Sequence, residues 1–160
     1  MSDYIINNIP YKLKEQHDFS FLSRYGTVFC VFDENDSGNL SFGVDDGSTK
    51  YFIKIAGLKT MCSCLSTDAA KNNLQQAMKV YEDIKHPNLI ELKEHYSFDD
   101  LYVAVFKWAD GECLFDHWNF EKYANDKSIF PPRDRFRQLQ LQKRIEAFDT
   151  VLSFIKTVAE

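Results

Sequence analysis

Asp83-Ile84-Lys85-His86-Pro87-Asn88-Leu89-Ile90 is the stretch on which the fold turns. Pro87 has no N–H and disfavours helix at the residue before it, so a helix must stop here. The His86 side chain can bond backbone in the turn that follows. Working back from that stop, Leu74, Ala77, Met78, Tyr81 and Ile84 recur at spacings of three and four, which predicts one apolar helical face. Ser66 or Thr67 offers an N-cap, and Asp68 sits where the helix dipole favours negative charge. The helix is therefore expected from there to about residue 85.

Strand signals lie on both sides of this helix. Upstream, Val28-Phe29-Cys30-Val31-Phe32 is a continuous β-favouring run. Turn signals follow at Asn35-Asp36-Ser37-Gly38 and Asp45-Asp46-Gly47-Ser48. Between them Leu40-Ser41-Phe42-Gly43-Val44 alternates, and Tyr51-Phe52-Ile53-Lys54-Ile55-Ala56 is a further strand. Phe19, Phe21 and Tyr25 extend the strand-like reading back to Asp18, behind a mixed, polar lead-in at 1–16. Residues 57–65 read as a loop. Downstream, 90–98 and 102–107 read as strands joined through Asp99-Asp100. A short helix over 114–123, a loop over 125–132 and a long helix over 133–160 complete the chain. Ile145, Phe148, Val151, Leu152, Ile155 and Val158 form the stripe of that last helix, which stays amphipathic to the end with no cap or stop, as expected of a chain that is cut or is short for its family. The fold class is α+β: an antiparallel sheet of five or six strands with one packed helix, then helices only.

Composition narrows the function. The chain has 160 residues, 44 % hydrophobic and 15 % aromatic, with 14 Phe, so it can build a bulky packed core. A net charge of -5 and the lack of a basic stripe argue against nucleic acid as a partner. No run approaches the ~20 apolar residues that span a bilayer, and the start carries no secretory signal. A cytoplasmic location with reduced thiols is expected. Cys62 and Cys64 have neither zinc-ribbon nor redox-pair spacing, and His17, His86, His95 and His117 are scattered, so no metal site is expected.

Taken together, the element order and four motifs resemble the N-terminal lobe of serine/threonine protein kinases. Tyr25-Gly26-Thr27-Val28 looks like the end of the glycine-rich loop G-x-G-x-x-G-x-V, with Phe21 and Ser23 at the first two glycine positions. Phe52-Ile53-Lys54 is similar to the A-x-K of the third strand, whose lysine holds the α- and β-phosphates. The Asp83–Ile90 stretch resembles the L-x-H-P-N-I-V that links the regulatory helix to the fourth strand. The run from Tyr102 through Phe106, Lys107, Trp108 and Ala109 to Asp116 resembles the gatekeeper, hinge and G-G-x-L-x-D segment.

The resemblance implies a lead-in at 1–17, a kinase-like lobe over 18–107, and a hinge with the first helices of a larger lobe over 108–160. It implies ATP with magnesium in a parent protein, though no cofactor is assigned to this chain by itself. Val28, Phe52 and Phe106 would shape the base pocket. Lys54 would position phosphate, Gly26 would let the backbone close on it, and Lys107, Trp108 and Ala109 would offer backbone bonds to adenine. The sequence departs from the family at two places. Nine residues before His86, where a glutamate would pair with the lysine, stands Ala77, next to Gln75 and Gln76. Neither H-R-D-x-x-x-x-N nor D-F-G occurs, so the base and both magnesium ligands are missing from these residues; Asp33, Asp110 and Asp116 do not replace them. This chain alone is expected to be inactive, and a pseudokinase-like interaction module is the alternative. Expected partners are an adenine nucleotide, the remainder of the large lobe, and a second copy through the last helix, where Phe148, Leu152 and Ile155 would expose apolar surface.

Overall fold

The computed structural model describes residues 2–111 and 131–159. The chain divides into two compact units, 1–109 and 110–160. The first unit is α+β. Its centre is a five-stranded antiparallel sheet in the order β3-β4-β5-β7-β6, formed by β3 (Thr27–Phe32), β4 (Asn39–Asp45), β5 (Lys50–Ala56), β6 (Leu92–Phe98) and β7 (Leu101–Lys107). A separate hairpin precedes it, β1 (Ser2–Ile6) and β2 (Ile9–Leu13). Its turn is Asn7-Asn8, both at positive φ (47° and 66°), the conformation that two-residue hairpins need and that Asn tolerates well.

Both turn signals lie between strands, and Gly38 takes φ 76° between β3 and β4. Between β4 and β5 the Asp46 carboxylate accepts from the Ser48 and Thr49 amides at 2.8 and 2.7 Å, while Gly47 supplies φ 93°. At the β6–β7 turn Asp99 takes φ 49°. Helix α1 (Thr67–Asp83) is capped by Ser66, whose Oγ accepts from the Ala69 amide at 3.1 Å. It ends at the predicted stop, where His86 Nδ1 accepts from the Asn88 amide at 3.1 Å.

Strand alternation sorts the sheet into two faces. On the outer face Val28, Leu40, Phe42, Val44, Ile53, Ile55, Leu101, Val103 and Val105 form one core with Tyr11 and Leu13 of the β1–β2 hairpin. On the inner face Ala56, Tyr102, Ala104 and Phe106 pack against Ala70, Leu74 and Met78 of α1. His95 ties α1 to this face, with one ring nitrogen on Tyr102 Oη and the other 3.0 Å from Glu82.

Two elements differ from the sequence reading. Residues around Phe19–Tyr25 are not a strand; Ser20–Tyr25 is a 3-10 helix. The Asp18 carboxylate accepts from the Ser20 amide and hydroxyl, which favours a tight turn over extended chain. Phe19, Leu22 and Tyr25, three apart, then fall on one edge and seal the outer core. The long C-terminal helix is two: α2 (Pro132–Gln138) and α3 (Leu141–Ala159), broken where Leu139 turns extended (φ -61°, ψ 149°). The break lets Phe136 of α2 meet Phe148 of α3 edge-on, 6.1 Å between ring centres. The short helix over 114–123, most of the loop after it, and Cys113 and Asp116 lie outside the described residues. Cys30, Cys62 and Cys64 are free thiols. Among the described residues no helix is long and apolar enough to cross a membrane.

Candidate functional site

Lys54 sits on β5, the third strand of the sheet, between Ser41 of β4 and Ala104 of β7. Directly opposed residues share a face, so Lys54 points to the inner side. It makes no ion pair or hydrogen bond among the described residues; its ammonium lies 5.8 Å from the centre of the Phe52 ring. Burial pulls its pKa below the ordinary lysine range, with no carboxylate among the described residues to counter the shift. Ala77 of α1 is partly buried against the inner cluster.

The space beside Lys54 is filled by the protein's own rings. Phe52 lies 5.7 Å from Phe32, 6.2 Å from Trp108 and 6.5 Å from Phe106, and Tyr81 of α1 closes on Phe106 at 5.2 Å. Phe29 meets Trp108 edge-on at 4.9 Å. Gly43 is the floor of this cluster. A Cβ there would collide with Cys30 Sγ and stand 2.7 Å from Phe29 Cζ and 2.9 Å from Trp108 Cζ3. Phe29 gets there because β3 bulges between Val28 and Cys30, which turns an extra aromatic toward the inner face.

The hinge amides are partly spent. The Lys107 amide donates to the Glu91 carbonyl at 2.8 Å and that of Trp108 to the Lys50 carbonyl at 2.9 Å. Both extend the sheet ladder, so neither N–H is open to a base; Ala109 carries the next amide.

Gly26 and Val28 do not join this group. Val28 is buried in the outer core, on the opposite side of the sheet from Lys54. Gly26 lies at the other end: Thr27 pairs with Asp45, whereas Lys54 is in line with Ser41 and Phe32. With φ 118° and its missing Cβ overlapping the Asp45 carbonyl, Gly26 is required by a close backbone approach to the β4–β5 turn. The hairpin nearest Lys54 is instead residues 33–38, between β3 and β4. Asp33, Asn35 and Gly38 stand there at the G-x-G-x-x-G spacing, and only Gly38 is glycine. Its carboxylates, Asp33, Glu34 and Asp36, oppose a polyphosphate, and Asp33 already accepts from the Lys12 amide at 2.7 Å. The signal that could have located this hairpin is its order: it joins the first two strands of the sheet whose third carries Lys54.

An α+β lobe with a part-buried lysine, Lys54, on its third strand and a helix packed across the inner face is compatible with the nucleotide lobe of protein kinases. No protein-family profile matches the chain. Among curated proteins it is similar to serine/threonine-protein kinase 36 of Pongo abelii, 30 % identical over 78 residues, and to serine/threonine-protein kinase 36 of Mus musculus, 28 % identical over 78 residues. Each match covers 48 % of this chain and 6 % of the relative. This distant, partial similarity supports a kinase-related origin.

Proposed function

We propose that this chain is a kinase-related lobe that serves as a pseudokinase-like interaction module and does not grip ATP. The observation that carries the reading is the ring cluster over Gly43: Phe29, Phe32, Phe52 and Trp108 occupy the inner face where a base would lie. The Lys107 and Trp108 amides are used within the sheet, Lys54 has no carboxylate partner among the described residues to aim it, and the adjacent hairpin is acidic. Each of these weakens one part of a nucleotide grip.

Thermal unfolding and titration calorimetry with magnesium-ATP test this. A ligand at ten times its Kd would stabilise the fold by about 1.4 kcal/mol. The expected result at 1 mM (roughly physiological) nucleotide is no saturable heat and no shift in Tm. Saturable binding that Lys54→Met abolishes would overturn the proposal. It would favour the second reading, the ATP-binding part of a serine/threonine-kinase-like phosphotransferase, for which the part-buried Lys54, without an ion pair among the described residues, is the specific observation. In that reading the activity belongs to a larger protein with its own catalytic aspartate and magnesium ligands.

A further inference from the structure

Helix α3 carries Leu141, Ile145, Phe148, Leu152 and Ile155, all between 42 % and 64 % exposed. Their spacings are four, three, four and three. That alternation of four and three is the a/d spacing of a coiled-coil seam, and exposed Val151, beside it at a g position, widens the apolar stripe to about 120°. In heptad terms Ile145 and Leu152 are a positions, and Leu141, Phe148 and Ile155 are d positions.

From this seam we infer that α3 pairs in parallel with α3 of a second copy of this chain. Charge decides both occupant and direction. Beside the seam Arg144 takes a g position and Asp149 the e position five residues on. In a parallel pair each g residue faces the partner's e residue of the next heptad, so Arg144 meets Asp149 twice, once on each side. An antiparallel pair centred on Phe148 would set Asp149 against its own copy. Within the chain Arg144 and Asp149 make no ion pair among the described residues, and Asp149 is exposed. Phe136 touches one edge of Phe148 yet leaves it 59 % exposed, so α2 does not cover the seam.

The inference concerns the second unit and is independent of whether the sheet binds nucleotide. The test is sedimentation equilibrium of the full chain. A dimer at micromolar concentration is expected, and Leu152→Glu is expected to give a monomer with an unchanged circular-dichroism spectrum. Asp149→Arg should weaken the dimer about fivefold, and adding Arg144→Asp should restore it. Should Leu152→Glu fail to fold, Ile145→Cys gives an independent readout: a parallel seam joins position 145 to its own copy on mild oxidation, identified as that cross-linked peptide by mass spectrometry. A full chain that stays monomeric at tens of micromolar (about the level at which a short seam pairs), a dimer that survives Leu152→Glu, or the absence of a 145–145 cross-link would each overturn the parallel pair. Monomer would mean that another segment or partner covers the seam.

Discussion

The two faces of the central sheet are built from the same strands yet differ in kind. On the outer face every strand contributes side chains that the β1–β2 hairpin and the 3-10 helix close over, and Leu40, Phe42, Val44, Ile53, Ile55, Val103 and Val105 are fully buried. The inner face is closed by α1 only over Ala56, Tyr102, Ala104 and Phe106. Beyond the helix it carries Lys54 and aromatic rings, with Phe29 and Phe32 each 36 % exposed. The outer face holds the stability of the unit. The inner face keeps groups that stability alone would not select: a cation with no ion pair among the described residues, and half-open aromatics.

The sharpest way to break this comparison is a pair of matched truncations. Phe42→Ala empties a site with no exposure, between Phe19 and Tyr11, and should cost about 4 kcal/mol in urea unfolding. Phe52→Ala removes the same ring from the half-open face and should cost about 1.5 kcal/mol. Equal costs would mean that the inner cluster is as much a core as the outer one. Next in size is Gly26→Ala. It places a Cβ against backbone of the β4–β5 turn at φ 118°, and a loss of about 3 kcal/mol is expected. A neutral result would return Gly26 to the status of an ordinary loop glycine.

The smallest effect has the opposite sign. Burial lowers the Lys54 pKa, so the unfolded chain binds its proton more tightly than the fold does. Below the lowered pKa the fold carries the full penalty of a buried charge. As pH rises from there toward 10.5 the penalty disappears and stability increases. Lys54→Met should therefore stabilise the unit by about 1 kcal/mol at pH 7 and flatten that alkaline rise. Denaturant midpoints between pH 7 and 10.5 measure both. Destabilisation at pH 7 would show that Lys54 has a favourable partner.

Much of this arrangement was legible in the residues themselves. The cap at Ser66, the stop at Pro87 and the Asp45-Asp46-Gly47-Ser48 turn are local, and each is enforced by hydrogen bonds within a few residues. The alternation in β5 and β7 also sorts itself into faces without knowledge of partners. What could not be read was long-range or ambiguous in period. Phe19, Phe21 and Tyr25 look like alternation, whereas the buried set is Phe19, Leu22 and Tyr25 at a spacing of three. A glycine announces a close approach or a positive φ but does not say at which end of a strand. The glycine-loop pattern thus points to Gly26, while the hairpin beside Lys54 is the one ending in Gly38. Nothing in Leu139-Gln140 announces the break between α2 and α3. The bulge that swings Phe29 inward depends on pairing with β4, which no local pattern encodes.

The 3-10 helix has one more consequence. Arg24 and Tyr25 end it by reaching Glu94, residues 70 and 69 positions later, and Arg24 also stacks over the rings of Tyr25 and Tyr96 at 4.6 and 4.8 Å. As the chain leaves the ribosome, the β3–β4–β5 meander can pair early, because its contacts are local. Glu94 lies on β6, which joins the sheet only through β7, so the lid across the outer side cannot lock until β7 has been made. Contacts of high sequence separation form slowly, so the outer core is expected to close late, and the interval before β7 emerges leaves its apolar surface uncovered and open to misassembly.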